Sequence, residues 1–268
     1  MNDPVRYTMR ERRQTRTIGN KQRVVFWEDT KMLKIYHMTK TYPGGKVGAD
    51  DVTLEVKKGE IYGFIGHNGA GKTTTIKAIV GLHDFEQGSI TIDGVSVKDD
   101  PIKAKSILAY IPDNPDLYDN LSGLQFLNFV ADVFRVPKDV RKERIEKYAE
   151  DLEILNALNN QIASYSHGMK QKLAIISAFL HDPKLLIMDE PFVGLDPKSA
   201  FIVKKMMRDF CDKGSAIFFS THVLEVAEKL CDKIAIIKNG KLISSGTMEE
   251  VKGDASLEEV FLELTEEA

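Results

Sequence analysis

Gly66-His67-Asn68-Gly69-Ala70-Gly71-Lys72-Thr73-Thr74 lies between an apolar run, Glu60 to Ile65, and a segment of helical spacing, Thr74 to Val80, that stops at Gly81. Strand, glycine loop and helix in that order predict a P-loop. Glycines let backbone N–H groups converge on phosphate with no Cβ in the way, and a helix N-terminus adds partial positive charge. Gly66, His67, Asn68, Gly69, Ala70, Gly71, Thr73 and Thr74 are therefore expected to line a nucleotide's phosphates. Lys72 would reach the β- and γ-phosphates, and the Thr73 hydroxyl would ligate Mg²⁺.

A P-loop needs carboxylates opposite it, and Lys184-Leu185-Leu186-Ile187-Met188-Asp189-Glu190-Pro191 supplies them. Four consecutive apolar residues fit a parallel strand buried on both faces. Ligands of open α/β sheets bind at strand C-termini, where this strand presents Asp189 and Glu190. Asp189 is expected to hold Mg²⁺ through water, and Glu190 to polarise the attacking water. Ala216-Ile217-Phe218-Phe219-Ser220-Thr221-His222 repeats the design, with a histidine at the strand end placed for a γ-phosphate contact.

Composition sets the bounds. The chain has 268 residues, 43% of them hydrophobic and 29% charged, as in an ordinary globular protein. A net charge of −3 gives no reason to expect nucleic-acid binding. The two cysteines, Cys211 and Cys231, lack metal-ligand spacing and read as buried free thiols. No apolar run approaches the roughly 18–20 residues of a membrane span, so the chain is expected to be soluble by itself.

Residues 1–31 differ from the rest, with eight basic and four acidic residues and the single tryptophan, Trp27. Trp27-Glu28-Asp29 reverse-translates to a purine-rich stretch just upstream of the Met32 codon, as a bacterial ribosome-binding site would. The segment is thus expected to be a poorly ordered or non-native leader, with translation starting at Met32; a basic arm touching anionic lipid and a targeting segment are the alternatives. Leu33 to Tyr36, Asp51 to Val56 and Gly88 to Gly94 alternate as half-buried antiparallel strands. Helical runs at Leu124 to Phe134, Val140 to Leu155 and Met169 to Leu180 predict a helical insert over about 98–181. Lys233 to Ile237, the Asn239-Gly240 turn and Leu242 to Ser244 close the sheet, and an acidic helix occupies 251–268.

Assembled in this order, residues 32–268 resemble the ATP-binding subunit of ABC transporters. The resemblance rests on the P-loop at 66–74, the carboxylate strand at 185–190, a signature-like Tyr165-Ser166-His167-Gly168-Met169, Gly194-Leu195-Asp196 like that family's D-loop, and His222 at the switch-histidine place. Two motifs depart from it. The usual signature is Leu-Ser-Gly-Gly-Gln, of which only Ser166 and Gly168 remain. Asp113, in Tyr110-Ile111-Pro112-Asp113-Asn114-Pro115, stands where the family has a glutamine, and reads either as a metal contact or as part of a plain turn.

The resemblance implies a P-loop NTPase (RecA-like) α/β core, with an antiparallel β subdomain and an inserted α-helical subdomain. It implies stacking of Tyr42 on adenine, and a head-to-tail dimer with ATP between the P-loop of one copy and Ser166, Gly168 and Asp196 of another. A serine and free N–H groups at a helix start suit a γ-phosphate on physical grounds too. ATP and Mg²⁺ are the implied cofactors. A transmembrane permease and a second ATP-binding subunit are the implied partners, with the chain cytoplasmic at the inner face of the membrane and export-type transport as its task. The alternative is a soluble ABC-type ATPase of translation or DNA repair, although those usually carry two cassettes or long coiled coils.

Overall fold

The computed structural model describes residues 30–266 and, ahead of them, two short strands, β1 (Gln14–Thr15) and β2 (Val25–Phe26), paired antiparallel. The chain divides into two units, Met1–Thr30 and Lys31–Ala268. Beyond those two strands, the expectation for the leader lies outside the described residues.

The second unit opens with β3 (Lys31–Thr41) and β4 (Val47–Lys57), joined through the turn at Tyr42-Pro43-Gly44-Gly45. They pair antiparallel, and β6 (Gln87–Ile92) and β7 (Val95–Ser96) complete a sheet of order β4-β3-β6-β7. This is the antiparallel subdomain that the alternating segments predict.

The larger sheet has six strands in the order β12-β11-β5-β10-β9-β8. Its centre is β5 (Ile61–Ile65), β10 (Ala216–Thr221) and β9 (Leu185–Asp189), all parallel and buried at every position. Their unbroken apolar runs follow from being covered twice. Ile61, Ile65, Leu186, Met188, Ile217 and Phe219 enter the core that includes the helical insert. Their alternate neighbours Tyr62, Phe64, Leu185, Ile187, Ala216 and Phe218 enter a second core shared with the antiparallel sheet. β11 (Lys233–Lys238) continues the parallel set, and β12 (Lys241–Thr247) returns antiparallel through the Asn239-Gly240 turn.

The helical insert is shorter than the sequence predicts. Within 98–181 lies β8 (Leu108–Ile111), which follows a short helix, α2 (Pro101–Ser106), and pairs in parallel with β9 at the sheet edge. Four residues stopped by Pro112 are too few to display a period; pairing to β9 and burial of Leu108, Ala109 and Ile111 make them a strand. The insert proper therefore begins after β8, with α3 (Gly123–Val133), α4 (Lys138–Asp151) and α5 (His167–Leu180). α3 starts on a reciprocal Ser122/Gln125 capping box.

Between β5 and β6 runs α1 (Lys72–Ile79), and α6 (Pro197–Asp212) and α7 (Leu224–Leu230) flank β10 in sequence. The expected acidic C-terminal helix is two pieces, α8 (Met248–Lys252) and α9 (Leu257–Glu266). Cys211 and Cys231 are buried and free. No described helix is long and apolar enough to cross a membrane.

Candidate functional site

The P-loop joins β5 to α1 at the C-terminal edge of the six-stranded sheet. Gly71, the residue before α1, has φ +113°, and a Cβ there would stand 2.5 Å from the Gly48 carbonyl oxygen, so only glycine fits. α1 has no side-chain cap hydrogen bond at its start. Its first-turn N–H groups are thus left for another acceptor, as an anion site requires. Lys72 is 6% exposed, and its Nζ donates to the carbonyls of Gly66 at 2.6 Å and His67 at 3.3 Å.

Opposite the loop stand the ends of β9 and β10. Their parallel register places Ser220 beside Asp189. Asp189 is 1% exposed; Thr73 Oγ1 donates to its Oδ2 at 2.8 Å, and the Ser220 hydroxyl donates to its Oδ1. Ser220 Oγ also accepts from the Glu190 N–H at 3.2 Å, so one hydroxyl fixes both carboxylate residues. Glu190 has a left-handed backbone, φ 48°, which marks local strain at the strand end. Its Oε1 lies 2.9 Å from His222 Nδ1 and 3.5 Å from Lys72 Nζ. That oxygen is buried, and no contact satisfies it with hydrogen-bond geometry. A buried carboxylate oxygen that has charged neighbours but no well-formed hydrogen bond keeps an acceptor site open to a polar guest.

Lys72, Thr73, Thr74, His67, Asn68, Gly69, Gly71, Asp189 and Glu190 line one open cleft of about 360 Å³ together with Tyr42, Lys46, Gly48 and Asp113. The volume falls in the range of small-molecule sites. Gly66 and Ala70 do not line the cleft: a Cβ on Gly66 would stand 2.6 Å from the Ile237 carbonyl oxygen, and the Ala70 carbonyl accepts from the Gly240 N–H at 2.8 Å. Tyr42 hydroxyl lies 3.1 Å from Thr74 Oγ1, which ties the ring to the loop. Asp113 is exposed, and its Oδ1 accepts from the Asn114 N–H at 2.9 Å, as a turn residue would.

The remaining expected residues lie elsewhere. Ser166 caps α5, accepting from the Met169 N–H at 3.3 Å, and is exposed outside the cleft. Gly168 packs on the loop before α6: a Cβ there would stand 2.5 Å from the Gly194 carbonyl oxygen. Asp196 caps α6, accepting from the Ser199 N–H at 2.8 Å and its hydroxyl at 2.6 Å, with Lys172 Nζ at 3.0 Å. These bonds from Ser199, with Lys172 behind them, hold its carboxyl well below the usual carboxylate range. Within one chain the signature residues and the P-loop are not brought together.

Residues 49–193 match the ABC transporter family profile, more than half of the chain. This chain belongs to the ABC transporter ATP-binding family. It is 36% identical over 241 residues to the ABC-type transporter ATP-binding protein EcsA of Bacillus subtilis, covering 88% of this chain and 97% of that protein. It is 34% identical to the linearmycin resistance ATP-binding protein LnrL of the same organism, over 81% of this chain and 69% of that one. A solved ATP-binding subunit of an ABC transporter superposes with a TM-score of 0.84 at 36% identity, over 87% of this chain and 99% of the other.

Sequence reasoning misses Ser220, Gly48 and Lys46 in this ABC cassette. Ser220 is visible in the sequence only as the third-last residue of an apolar run, and its value comes from register. Gly48 is sterically required, since a Cβ would stand 2.6 Å from the Tyr42 ring.

Proposed function

We propose that this chain hydrolyses ATP with Mg²⁺ to drive a separate transmembrane permease, working as a head-to-tail pair of ATP-binding subunits at the inner face of the cell membrane. The observation that carries this reading is a half-built site. Lys72, Thr73, Asp189 and Glu190 line one cleft, with His222 Nδ1 2.9 Å from Glu190 Oε1, whereas the exposed Ser166 and the half-buried Gly168 at the start of α5 lie outside its lining and would complete another copy's cleft.

The residues present suit a hard cation. Thr73 Oγ1 and Asp189 Oδ2 stand side by side, and oxygen donors are what Mg²⁺ takes. Among the described residues no cluster of three or more His, Cys, Asp or Glu side chains could hold a metal alone, which fits an ion completed by phosphate and water. When bound, Mg²⁺ would neutralise charge on the β- and γ-phosphates.

Lys72 releases the Gly66 and His67 carbonyls and turns its ammonium to the phosphates, while the first-turn N–H groups of α1 hold them from below. Glu190, through its unsatisfied oxygen, accepts a hydrogen bond from water and aligns it for attack. His222 contacts the γ-phosphate, and Tyr42 stacks on the adenine. Ser166 of the opposing copy closes the pair, and loss of phosphate reopens it. The Asp113 loop and the helical insert face the permease. The relative named for linearmycin resistance supports an outward direction of transport.

The test is ATP turnover by the purified chain, with and without Mg²⁺, together with co-purification of a multi-span membrane protein from the natural host. Mg²⁺-dependent turnover and a stoichiometric membrane partner are expected. Turnover without the metal, or a chain recovered with no membrane partner, would overturn it.

A further inference from the structure

The C-terminal helix reaches the nucleotide cleft. α9 starts on a reciprocal cap, with the Ser256 N–H donating to Glu259 Oε2 at 2.8 Å and the Glu259 N–H to Ser256 Oγ at 3.2 Å. Apolar residues at 257, 260, 261 and 264 then share one face. Leu257 is fully buried and Phe261 is 6% exposed. Lys238 Nζ donates to the Thr265 carbonyl at 2.5 Å, which holds the far end of α9 against β11.

Leu257 and Phe261 both belong to the hydrophobic core, and Phe261 takes one further neighbour outside it. Its ring meets the His67 imidazole edge-on, with centroids 4.8 Å apart and planes at 63°. His67 is the second residue of the P-loop and lines the cleft, and its carbonyl accepts from Lys72 Nζ. The loop needs a brace at this point: His67, Asn68 and Gly69 are exposed, and nothing lies within 4 Å of the place a Gly69 Cβ would take. An unbraced glycine loop pays its ordering entropy when it closes on phosphate; a loop held beforehand binds more tightly.

We infer that Phe261 is a positioning residue for nucleotide: through His67 it holds the P-loop in its phosphate-binding shape, and bound nucleotide in turn tightens α9. The second half follows from linkage, since whatever α9 adds to ATP affinity ATP must return to α9. The inference rests on the cleft being the ATP site.

The test uses the full-length chain and Mg·ATP. Phe261→Leu keeps the burial and removes the ring. It should raise the dissociation constant and KM roughly 2- to 12-fold, the span of one aromatic pair, with kcat at saturation unchanged. Phe261→Tyr, which keeps the ring edge, should restore wild-type affinity. His67→Ala should show the same loss, and combining it with Phe261→Leu should add nothing further. ATP should slow amide exchange across residues 257–265 in the wild type. Unchanged affinity in Phe261→Leu, full additivity of the pair, or exchange in α9 indifferent to ATP would overturn the inference while leaving the cleft's assignment intact. A wild-type chain that bound no ATP would overturn both.

Discussion

Replacing Glu190 with Gln separates two things this carboxylate does. Its Oε1 stands 3.5 Å from Lys72 Nζ and 2.9 Å from His222 Nδ1, with the side chain only 14% exposed. The amide keeps the shape and the same left-handed backbone, so the strain at φ 48° is carried equally by both proteins. Lys72 keeps the Gly66 and His67 carbonyls at 2.6 and 3.3 Å, so the fold loses little. On the proposed mechanism what disappears is the charge that would orient water, expected to cost on the order of 10²–10⁴ in turnover, or about 3–5 kcal/mol of barrier. ATP affinity should hold or rise, because Lys72 no longer leaves a carboxylate to reach the phosphates. Phosphate release and equilibrium ATP binding, measured on the same preparation, read the two effects. Turnover within roughly fivefold of wild type, or affinity lost together with turnover, would refute the reasoning.

Three further outcomes follow. Lys72→Ala should weaken ATP binding itself by at least about tenfold, measured by calorimetry, because a buried ammonium aimed at phosphate is worth several hydrogen bonds. Gly168→Ala must push its Cβ off the Gly194 carbonyl, 2.5 Å away; about 1–3 kcal/mol of overpacking should lower the melting temperature by several degrees. Burial pushes the Cys211 thiol up to about 12 and the Cys231 thiol higher still. Both should therefore resist alkylation at pH 8 in the native protein and react promptly in denaturant, as intact-mass measurement would report.

What the sequence disclosed and what it hid divide along a physical line. The P-loop, the Asp189-Glu190 pair and the alternating strands were legible because each is a contiguous stretch whose residue types are fixed by a local need. β8 was not, because four residues ended by a proline carry no period and only β9 beside them makes them a strand. Ser220 was silent for the same reason: its hydroxyl matters because the β9–β10 register sets it against Asp189, thirty-one residues away in sequence. The contact of Phe261 with His67 spans nearly the whole cassette, and no spacing rule reaches that far. Ser166 was legible as a helix cap, and its place outside this chain's own cleft agrees with the head-to-tail pairing that the family resemblance implies.

The claim at the centre of the account is that Ser166 of one copy serves the P-loop of another. Mixing two inactive variants tests it most directly: Lys72→Ala, with a dead P-loop, and Ser166→Arg, with a blocked helix start. Only a mixed pair holds one cleft in which both halves are wild type. Equal amounts should regain roughly a quarter of the wild-type rate if the two clefts of a pair act independently. No regain at any mixing ratio would contradict the account.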